Sequence, residues 1–361
     1  MTSSTREARR YRVALIRGDG IGPELTDSAV EVLCALADRY DLRLDFTAEP
    51  GGAGTYRETG HTMPPDALER LRTEYDAILK GPVGLPDVRH PDGTEAGLLG
   101  GVLRNGLDTY ANVRPIRLLP GVRTPMRFGA GEIDYVIVRE NTEGLYLSRG
   151  AGVANARAAA DTLMLTREGC ERVSRFAFAL ARRRSGAPAD GVRRVTCVDK
   201  SNVLRSYAFF RRIFDEVAEA YPDIEADHRY ADAAAHDLVA DPAHFDVVVT
   251  ENLLGDLLSD LGAATVGGLG MCPSGNMGDD AAYFEPIHGS APTIAGQDRA
   301  NPTSELLSCA LMLEHLGEQD AAGRLRDAVT AAYAEGAVTL DGRGQPEAGT
   351  REVTRAVLDR L

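Results

Sequence analysis

Short apolar runs alternate along the chain with longer segments of helical periodicity. The strand-like runs are YRVALI, YDAILKG, DYVIVREN, RRVTCVDK and FDVVVTEN, and segments such as GPELTDSAVEVLCALADRY and TREGCERVSRFAFALARRR lie between them. Apolar runs of this length are typical of strands buried on both faces, whereas apolar spacings of three and four residues are typical of helices. The alternation predicts an α/β fold with a largely parallel sheet.

The segment VVVTENLLGDLLSDL combines a predicted buried strand with a helix that carries two aspartates, Asp256 and Asp260. Residues four apart lie on the same face of a helix, so both carboxylates are expected to point toward one spot. Five leucines surround the pair: Leu253, Leu254, Leu257, Leu258 and Leu261. Because a charge in apolar surroundings is costly without a partner, the pattern predicts a cation between the carboxylates and not a solvated face.

The composition of the 361-residue chain narrows the class of protein. A net charge of −14 provides no general attraction to nucleic acid or anionic membranes, and no apolar run approaches the length of a membrane span. The amino terminus lacks the apolar region of a signal peptide. Five scattered cysteines without a CxxC pair argue against a disulfide framework and a zinc site, so a cytoplasmic protein is expected.

Lysine is almost absent from the sequence. Of 40 basic residues only Lys80 and Lys200 are lysine, and the other 38 are arginine. A codon bias explains the excess of arginine, but not why these two positions differ from the rest. Arginine does not release its proton, whereas lysine can be tuned to do so, which makes both lysines candidates for chemistry or tight packing.

Other segments carry further candidate residues. RGDGIGPEL follows the first strand, but its GxGxG spacing lacks the GxGxxG fingerprint and supports a Rossmann site only weakly. Arg104, Arg114 and Arg139 end buried segments and would suit a substrate with two or three carboxylates. Tyr146 is a candidate general acid. Asp232 is another isolated carboxylate. An all-oxygen set of aspartates would select magnesium or manganese, but the sequence alone does not bring these distant residues together.

Together the motifs resemble those of the β-decarboxylating dehydrogenases, the family of 3-isopropylmalate, isocitrate, homoisocitrate and tartrate dehydrogenases. The matching motifs run almost end to end in the family's order: GDGIGPE, LRNGLDTYANVRP, VRENTEGLY, DKSNVL, FDVVVTENLLGDLLSDL, GNMGD, FEPIHGSAP and ANPTS. The resemblance implies a two-domain α/β fold distinct from the Rossmann type, with a dimerisation arm. Residues 147–166 could form that arm, although an ordinary surface hairpin fits the segment equally well.

The resemblance also implies roles for the candidate residues. Asp256 and Asp260 would bind a divalent metal, magnesium or manganese, with Asp232 supplied by the other subunit of a homodimer. Arg104, Arg114 and Arg139 would bind the malate carboxylates. Lys200, also from the other subunit, would take the hydroxyl proton during hydride transfer, and Tyr146 would help to protonate the enolate left by decarboxylation.

The cofactor is expected to be NAD, bound along HGSAP. The implied cofactor-binding residues are Asn202, His288, Gly289, Ser290, Ala291, Pro292, Ile294 and Asn301. NADP-using relatives carry a lysine and a tyrosine where this chain has Thr293 and Ile294, and a further tyrosine where it has Leu340. Thr293 is not the aspartate common in NAD-using relatives, and Arg299 or Arg343 could still attract a 2′-phosphate.

The same resemblance implies a discontinuous cofactor-binding domain of residues 1–100 and 255–361. Residues 101–254 would form a second domain with the substrate arginines, the arm and the dimer interface. In TEAGLLGGVLR, Leu98 and Leu99 favour an apolar substituent on the malate, so 3-isopropylmalate or a similar alkylmalate is the expected substrate. Homoisocitrate, isocitrate, tartrate, malate or a malate analogue of specialised metabolism remain alternatives. A non-catalytic regulatory subunit is a further one, against which the intact set of candidate site residues argues.

Overall fold

The computed structural model describes residues 9–91, 93–342 and 344–361, so that Arg343 lies outside the described residues. The strands are β1 (Arg9–Ile16), β2 (Leu42–Ala48), β3 (Ala77–Lys80), β4 (Ala111–Arg117), β5 (Asp134–Glu140), β6 (Val153–Ala154), β7 (Ala159–Ala160), β8 (Arg194–Asp199), β9 (Glu225–Tyr230), β10 (Val247–Thr250), β11 (Pro273–Met277) and β12 (Ala282–Pro286). The helices are α1 (Gly22–Tyr40), α2 (Ala53–Thr59), α3 (Ala67–Thr73), α4 (Leu99–Gly106), α5 (Arg167–Arg183), α6 (Arg205–Ala218), α7 (Ala231–Ala240), α8 (Asn252–Thr265), α9 (Thr303–His315), α10 (Gln319–Ala334) and α11 (Thr350–Leu358).

Two compact units are formed by the described residues. The first unit lies within Met1–Val102 and Asp280–Leu361, and the second is Leu103–Asp279. The expected division placed residues 255–279 with the first unit, but here they belong to the second. The physical reason is that α8 packs on β4 and β5, and β11 pairs with β4.

The first unit contains a four-stranded parallel sheet in the order β2–β1–β3–β12. Helix α1 begins with a proline in its first turn, a position where the missing N–H costs no hydrogen bond. It is followed by Asp41, whose backbone lies in the left-handed region that commonly ends a helix. It packs against β2, α9 and α11. The loops after β1, β3 and β12 leave the sheet at the carboxyl ends of parallel strands, the edge where α/β sheets commonly bind ligands.

The second unit contains strands in the order β11–β4–β5–β10–β8–β9. The β11–β4 and β4–β5 pairs are antiparallel, and the remaining pairs are parallel. Successive side chains of β5 point to opposite faces: Val138 joins the apolar core beneath α5 and α6, whereas Arg139 lies against α8. The predicted α/β architecture with a largely parallel sheet is confirmed.

Helix α8 follows β10 as the sequence predicts. The carboxylate of Glu251 accepts hydrogen bonds from the Leu253 and Leu254 amides and so caps the helix. The five leucines around the aspartate pair are not equally shielded, because Leu257 has an exposed fraction of 61% whereas Leu258 is buried. Gly255 and Leu258 face the sheet instead, and this rotation of the helix turns Leu257 outward.

The predicted arm contains a short antiparallel hairpin of β6 and β7 with exposed residues on both strands. Its contact with a partner chain stays a prediction. Among the described residues, none of the helices has an apolar stretch long enough to cross a membrane.

Candidate functional site

Strands β4 and β5 place two of the predicted arginines beside α8. Asn112 of β4 is the register partner of Arg139, and Arg114 lies two residues further along the same strand. Paired residues and residues two apart share a face of a sheet, so Arg114 and Arg139 point in the same direction. Gly255 allows the close approach of α8, since a β-carbon there would lie 2.6 Å from Cγ of Arg139.

The Asp256 carboxylate is the centre of this arrangement. Its Oδ1 accepts a hydrogen bond from Nη1 of Arg139 and lies 3.3 Å from Nη1 of Arg114. Its Oδ2 accepts a hydrogen bond of 2.9 Å from the hydroxyl of Tyr146. Asp260 lies 3.8 Å from Arg114, so both aspartates of the helix face the same guanidinium. The structure therefore brings together five residues that the sequence predicts to be functional.

Two polar residues of α8 hold the arginines in place. The side-chain oxygen of Asn252 accepts hydrogen bonds from Nε and Nη2 of Arg139, at 3.0 and 2.7 Å. Ser259 accepts a bond of 2.6 Å from Arg114. Sequence reasoning missed both, although Asn252 and Ser259 lie four residues before and three residues after Asp256, the spacing that places them on its face of the helix.

The charges of the cluster shift the pKa values of its members. Burial and the neighbouring charges of Arg104 and Arg114 lower the pKa of Arg139 to about 9. Burial tends to raise the pKa of Asp256, but Arg139 and Arg114 outweigh it and the pKa is lowered. For Asp260, burial has the largest effect on the pKa and raises it. Asp256 is thus held as the carboxylate anion.

Tyr146 keeps its proton in this environment. Burial raises the pKa of its hydroxyl, and the charge of Asp256 and the hydrogen bond to it act in the same direction. The guanidinium of Arg139 lies 5.5 Å from the centre of the tyrosine ring. The hydroxyl is therefore a protonated group held in position by a fixed anion.

The two aspartates fit a hard divalent cation. Carboxylate oxygens are the ligands that magnesium prefers, and one or two of them commonly suffice together with water and substrate oxygens. Within the described ranges no group of three or more acidic, histidine or cysteine residues could hold a metal by itself. The third predicted ligand, Asp232, must therefore come from elsewhere if it is to join the pair.

Asp232 lies instead with Lys200. The ammonium Nζ donates a hydrogen bond of 2.6 Å to Oδ1 of Asp232, and this contact lowers the pKa of the aspartate. Within the described part of the chain, no hydrogen bond or ion pair joins either residue to Asp256 or Asp260. One chain thus carries two separate groups of the predicted catalytic residues.

The predicted cofactor residues lie mainly in the first unit, on the loop after β12. Ile294 packs on an apolar cluster formed by Ile21, Leu25 and Ala300. Asn301 is buried and accepts a hydrogen bond from the Thr303 amide. The remaining predicted residues of this loop are His288, Gly289, Ser290, Ala291 and Pro292. Asn202 lies in the second unit and is exposed.

The two leucines predicted to contact the substrate differ in exposure. Leu99 is fully buried against Gly51 and Ile16, where it serves the core of the first unit. Leu98 is only partly buried and lies near Gly84. Leu98 is therefore the leucine with surface available to a ligand.

The loop edge of the first unit also carries a buried group of charged residues that sequence reasoning found only in part. Nζ of Lys80 lies 2.7 Å from Glu285 and donates to the Gly81 carbonyl at 2.9 Å. Glu305 on α9 is completely buried, and neither of its oxygens has a hydrogen-bond partner among the described residues. Burial raises the pKa of Glu305 well above its usual value, which favours the neutral carboxyl over the anion. An acidic residue directly before the leucines of the helix TSELLSCALMLEH was the available signal.

Comparisons with known proteins find similarity along almost the whole chain. A family model described as isocitrate/isopropylmalate dehydrogenase covers residues 12–357. A 3-isopropylmalate dehydrogenase of Thermobifida fusca is 46% identical over 333 residues, covering 89% of this chain and 91% of the relative. A 3-isopropylmalate/3-methylmalate dehydrogenase of Methanocaldococcus jannaschii is 43% identical, with 92% and 93% covered. The solved isocitrate dehydrogenase of Methylococcus capsulatus is 37% identical with a TM-score of 0.83, and the match covers 97% of this chain and 99% of that one.

Proposed function

The chain belongs to the isocitrate/isopropylmalate dehydrogenase family and is a β-decarboxylating dehydrogenase, and on this premise we propose that it oxidises and decarboxylates a 3-alkylmalate, 3-isopropylmalate or a close analogue, with NAD and a divalent metal. The observation that carries the proposal is the Asp256 carboxylate, which meets Arg139 on one oxygen and Tyr146 on the other. The predicted anion-binding, metal-binding and acid residues thus converge on one group.

The side chains of the second unit have distinct parts in this reaction. Arg104, Arg114 and Arg139 supply the positive charge that binds and orients the substrate carboxylates. Asp256 and Asp260 would hold magnesium or manganese, which would supply Lewis-acid polarisation of the substrate oxygen at C2, and NAD would be the hydride acceptor. Tyr146 holds a proton at its hydroxyl and would donate it to the enolate that decarboxylation leaves.

The remaining step, removal of the hydroxyl proton, falls to Lys200. Its nearest carboxylate in the same chain is Asp232, not the aspartates of α8. Both groups can serve one substrate if a second copy of the chain contributes Lys200 and Asp232, and so the protein is proposed to be a homodimer with shared sites. Exposed apolar side chains of the second unit, among them Leu257 and Val203, support an interface there.

The choice of an alkylmalate rests on the leucine side chain and on the relatives. Leu98 presents apolar surface and no cation, which suits an alkyl substituent better than a third carboxylate. Relatives named for 3-isopropylmalate and 3-methylmalate agree with this choice. Isocitrate is the second candidate, because the Methylococcus capsulatus structure aligns over almost the whole chain.

NAD is proposed over NADP because the cofactor loop has little positive charge. Thr293 is exposed and uncharged. Burial raises the pKa of Glu24, and the negative charge of nearby Asp298 raises it further, so two carboxyl groups lie beside this loop. A 2′-phosphate would be poorly received there, although the exposed Arg299 is a competing cation. A cytoplasmic location stays a prediction.

The proposal is tested by following NADH and NADPH formation with magnesium or manganese and a panel of hydroxy acids. The panel contains isopropylmalate, methylmalate, isocitrate, homoisocitrate, tartrate and malate. The expected result is metal-dependent NAD reduction, fastest with isopropylmalate, which is abolished by Asp256→Asn. Faster turnover of isocitrate would favour the second candidate, and inactivity across the panel would contradict the proposed substrate class.

A further inference from the structure

The carboxylate of Asp19 connects two loops of the first unit. It lies in the turn after β1 and is buried. Its Oδ2 accepts hydrogen bonds from the amides of Ala53 and Gly84, and its Oδ1 accepts one from the amide of Gly54, each at 2.8 Å. Three N–H donors satisfy one buried anion, so the side chain is fixed and the segments that donate to it are fixed with it.

Two of these donors, Ala53 and Gly54, are the first two residues of α2. The N-cap residue of this helix is Gly52, which has no side chain to accept from the first amides. Asp19 accepts from them instead, although it lies more than thirty residues earlier in the chain. A β-carbon on Gly52 would lie 2.6 Å from Oδ2 of Asp19, and φ there is +123°, so glycine is required for this approach.

The third donor, Gly84, is held from both sides. Its amide donates to Asp19, and its carbonyl accepts a hydrogen bond from the hydroxyl of Ser290 on the proposed cofactor loop. The turn that contains Asp19 also contacts that loop directly, because the Ile21 amide donates to the Ser290 carbonyl at 2.8 Å. Gly84 therefore depends on Asp19 and Ser290 together.

The same residues adjoin the segment proposed to recognise the substituent of the substrate. A β-carbon on Gly84 would lie 3.5 Å from Cδ2 of Leu98, so the Gly84 backbone adjoins this side chain. Gly97 packs on Ala53, whose amide donates to Asp19; a β-carbon on Gly97 would lie 2.4 Å from Cα of Ala53. Two of the residues that donate to Asp19, Gly84 and Ala53, thus contact the Gly97–Leu98 segment.

We propose that Asp19 is a positioning residue that couples the cofactor loop to the substrate-recognition segment through the backbone of Gly84. The inference rests on the proposed function, because it takes Ser290 as a cofactor residue and Leu98 as a substrate residue. Asp19 itself does not touch the reacting atoms. Its carboxylate sets the position of two binding surfaces, so its loss affects the binding of both ligands more than the chemical step.

The test replaces Asp19 with asparagine, which puts an N–H donor where one oxygen now accepts. Asp76→Asn is the matched control, since Asp76 also accepts from a backbone amide of the first unit, that of Arg12, but does so before β3 begins. Amide hydrogen exchange is measured in both variants. Exchange at Ala53, Gly54 and Gly84 should accelerate at least about tenfold in the first variant alone, because a bond to a charged group has been lost.

Ligand binding gives the second measurement. In Asp19→Asn the dissociation constant for NADH, followed by fluorescence without turnover, and the KM for the hydroxy acid should each rise about tenfold, with kcat within about threefold of wild type. Unchanged NADH binding, or a fall in kcat with both binding constants unchanged, would overturn the inference. Asp76→Asn should keep wild-type values for all three.

Ser290→Ala keeps the inference testable if Asp19→Asn does not fold. It releases Gly84 from the other side, so it should raise the KM for the hydroxy acid as well as weaken NADH binding. An effect on NADH alone would contradict the coupling. When both variants fold, their double mutant should lose less than the product of the separate effects. A wild-type protein that binds NADH but converts no hydroxy acid counts against the proposed function, while hydrogen exchange and NADH binding still decide the role of Asp19.

Discussion

The hydroxyl of Tyr146 donates a 2.9 Å hydrogen bond to Oδ2 of Asp256, the carboxylate whose other oxygen meets Arg139. The proposed acid and the proposed metal-binding carboxylate are therefore neighbours within one chain. A cation that binds Asp256 would compete for the oxygen that now accepts from Tyr146. Metal binding would then free the tyrosine proton for donation.

Replacement of this tyrosine tests its part as an acid. Tyr146→Phe should lower kcat about a hundredfold or more, the contribution typical of a positioned proton donor, while KM changes only a few-fold. The matched control is Tyr110→Phe, which also removes a hydroxyl bonded to an aspartate of the same unit, Asp279. Steady-state kinetics of both variants decide the point. If the two lose activity equally, Tyr146 acts only through packing.

Subunit complementation tests the shared site. Lys200→Met and Asp256→Asn should each be inactive as homodimers, because each removes one of the two separate groups. Hybrid dimers would contain one intact site, so random exchange of subunits should return about a quarter of wild-type activity. Lys200→Met mixed with Asp232→Asn is the control and should stay inactive, since both changes fall in the same group. If the mixture of Lys200→Met and Asp256→Asn had no activity, shared sites would be ruled out.

The requirement for metal should depend on Asp260. Its side chain is more exposed than that of Asp256, at 55% against 34%, and it contributes less to the arginine contacts. Asp260→Asn should therefore leave the fold intact and raise the magnesium concentration for half-maximal rate by about tenfold or more. Asp320→Asn, a surface aspartate of α10, should have no effect. Excess chelator should abolish the activity of wild type, and its survival would contradict a metal-dependent reaction.

Glu305 should make stability depend on pH. Burial raises its pKa in the folded state above the usual value of 4.5, so the folded protein holds this proton more tightly than the unfolded chain. The favourable contribution of the neutral form is complete below pH 4.5 and is lost as pH rises from there toward the folded pKa. Glu305→Gln should remove this loss of stability at high pH, because the glutamine side chain does not ionise.

Urea unfolding between pH 4.5 and pH 8 would measure the effect of Glu305→Gln. The variant should gain stability relative to wild type as pH rises. Glu314→Gln is the control on the same helix, because Glu314 pairs with Arg326 near the surface. A constant difference between wild type and Glu305→Gln across the range would show that Glu305 titrates alike in the folded and unfolded states.

The local pattern of the sequence sufficed for the strand and helix that carry Asp256 and Asp260. Apolar runs and helical spacing are local properties, and they also indicated β5 with Arg139 at its end. The orientation of α8 did not follow from them. Two glycines, Gly255 and Gly262, turn toward the sheet and allow a close approach, which leaves Leu257 outside. A leucine-rich pattern cannot reveal that glycines form the buried face.

Contacts between distant segments could not be predicted either, because a local pattern carries no information about them. Asp19 was read only as part of a glycine-rich turn, and nothing near it indicates that it caps α2 or binds Gly84. Such contacts depend on which loops meet at the edge of the sheet. The distribution of lysine, in contrast, singled out two positions for chemistry or tight packing. Lys80 is buried beside Glu285, whereas Lys200 pairs with Asp232 and its part in the chemistry stays a prediction.

The scarcity of lysine has a practical consequence for covalent labelling. Lys80 is enclosed by the first unit, whereas the side chain of Lys200 is 31% exposed. Apart from an amino terminus, an amine-selective reagent therefore finds one accessible primary amine on the chain, and that amine is the proposed proton acceptor. Stoichiometric acylation of Lys200, measured by mass spectrometry, would report how much of the site is occupied by substrate, because a bound substrate should shield this side chain from the reagent.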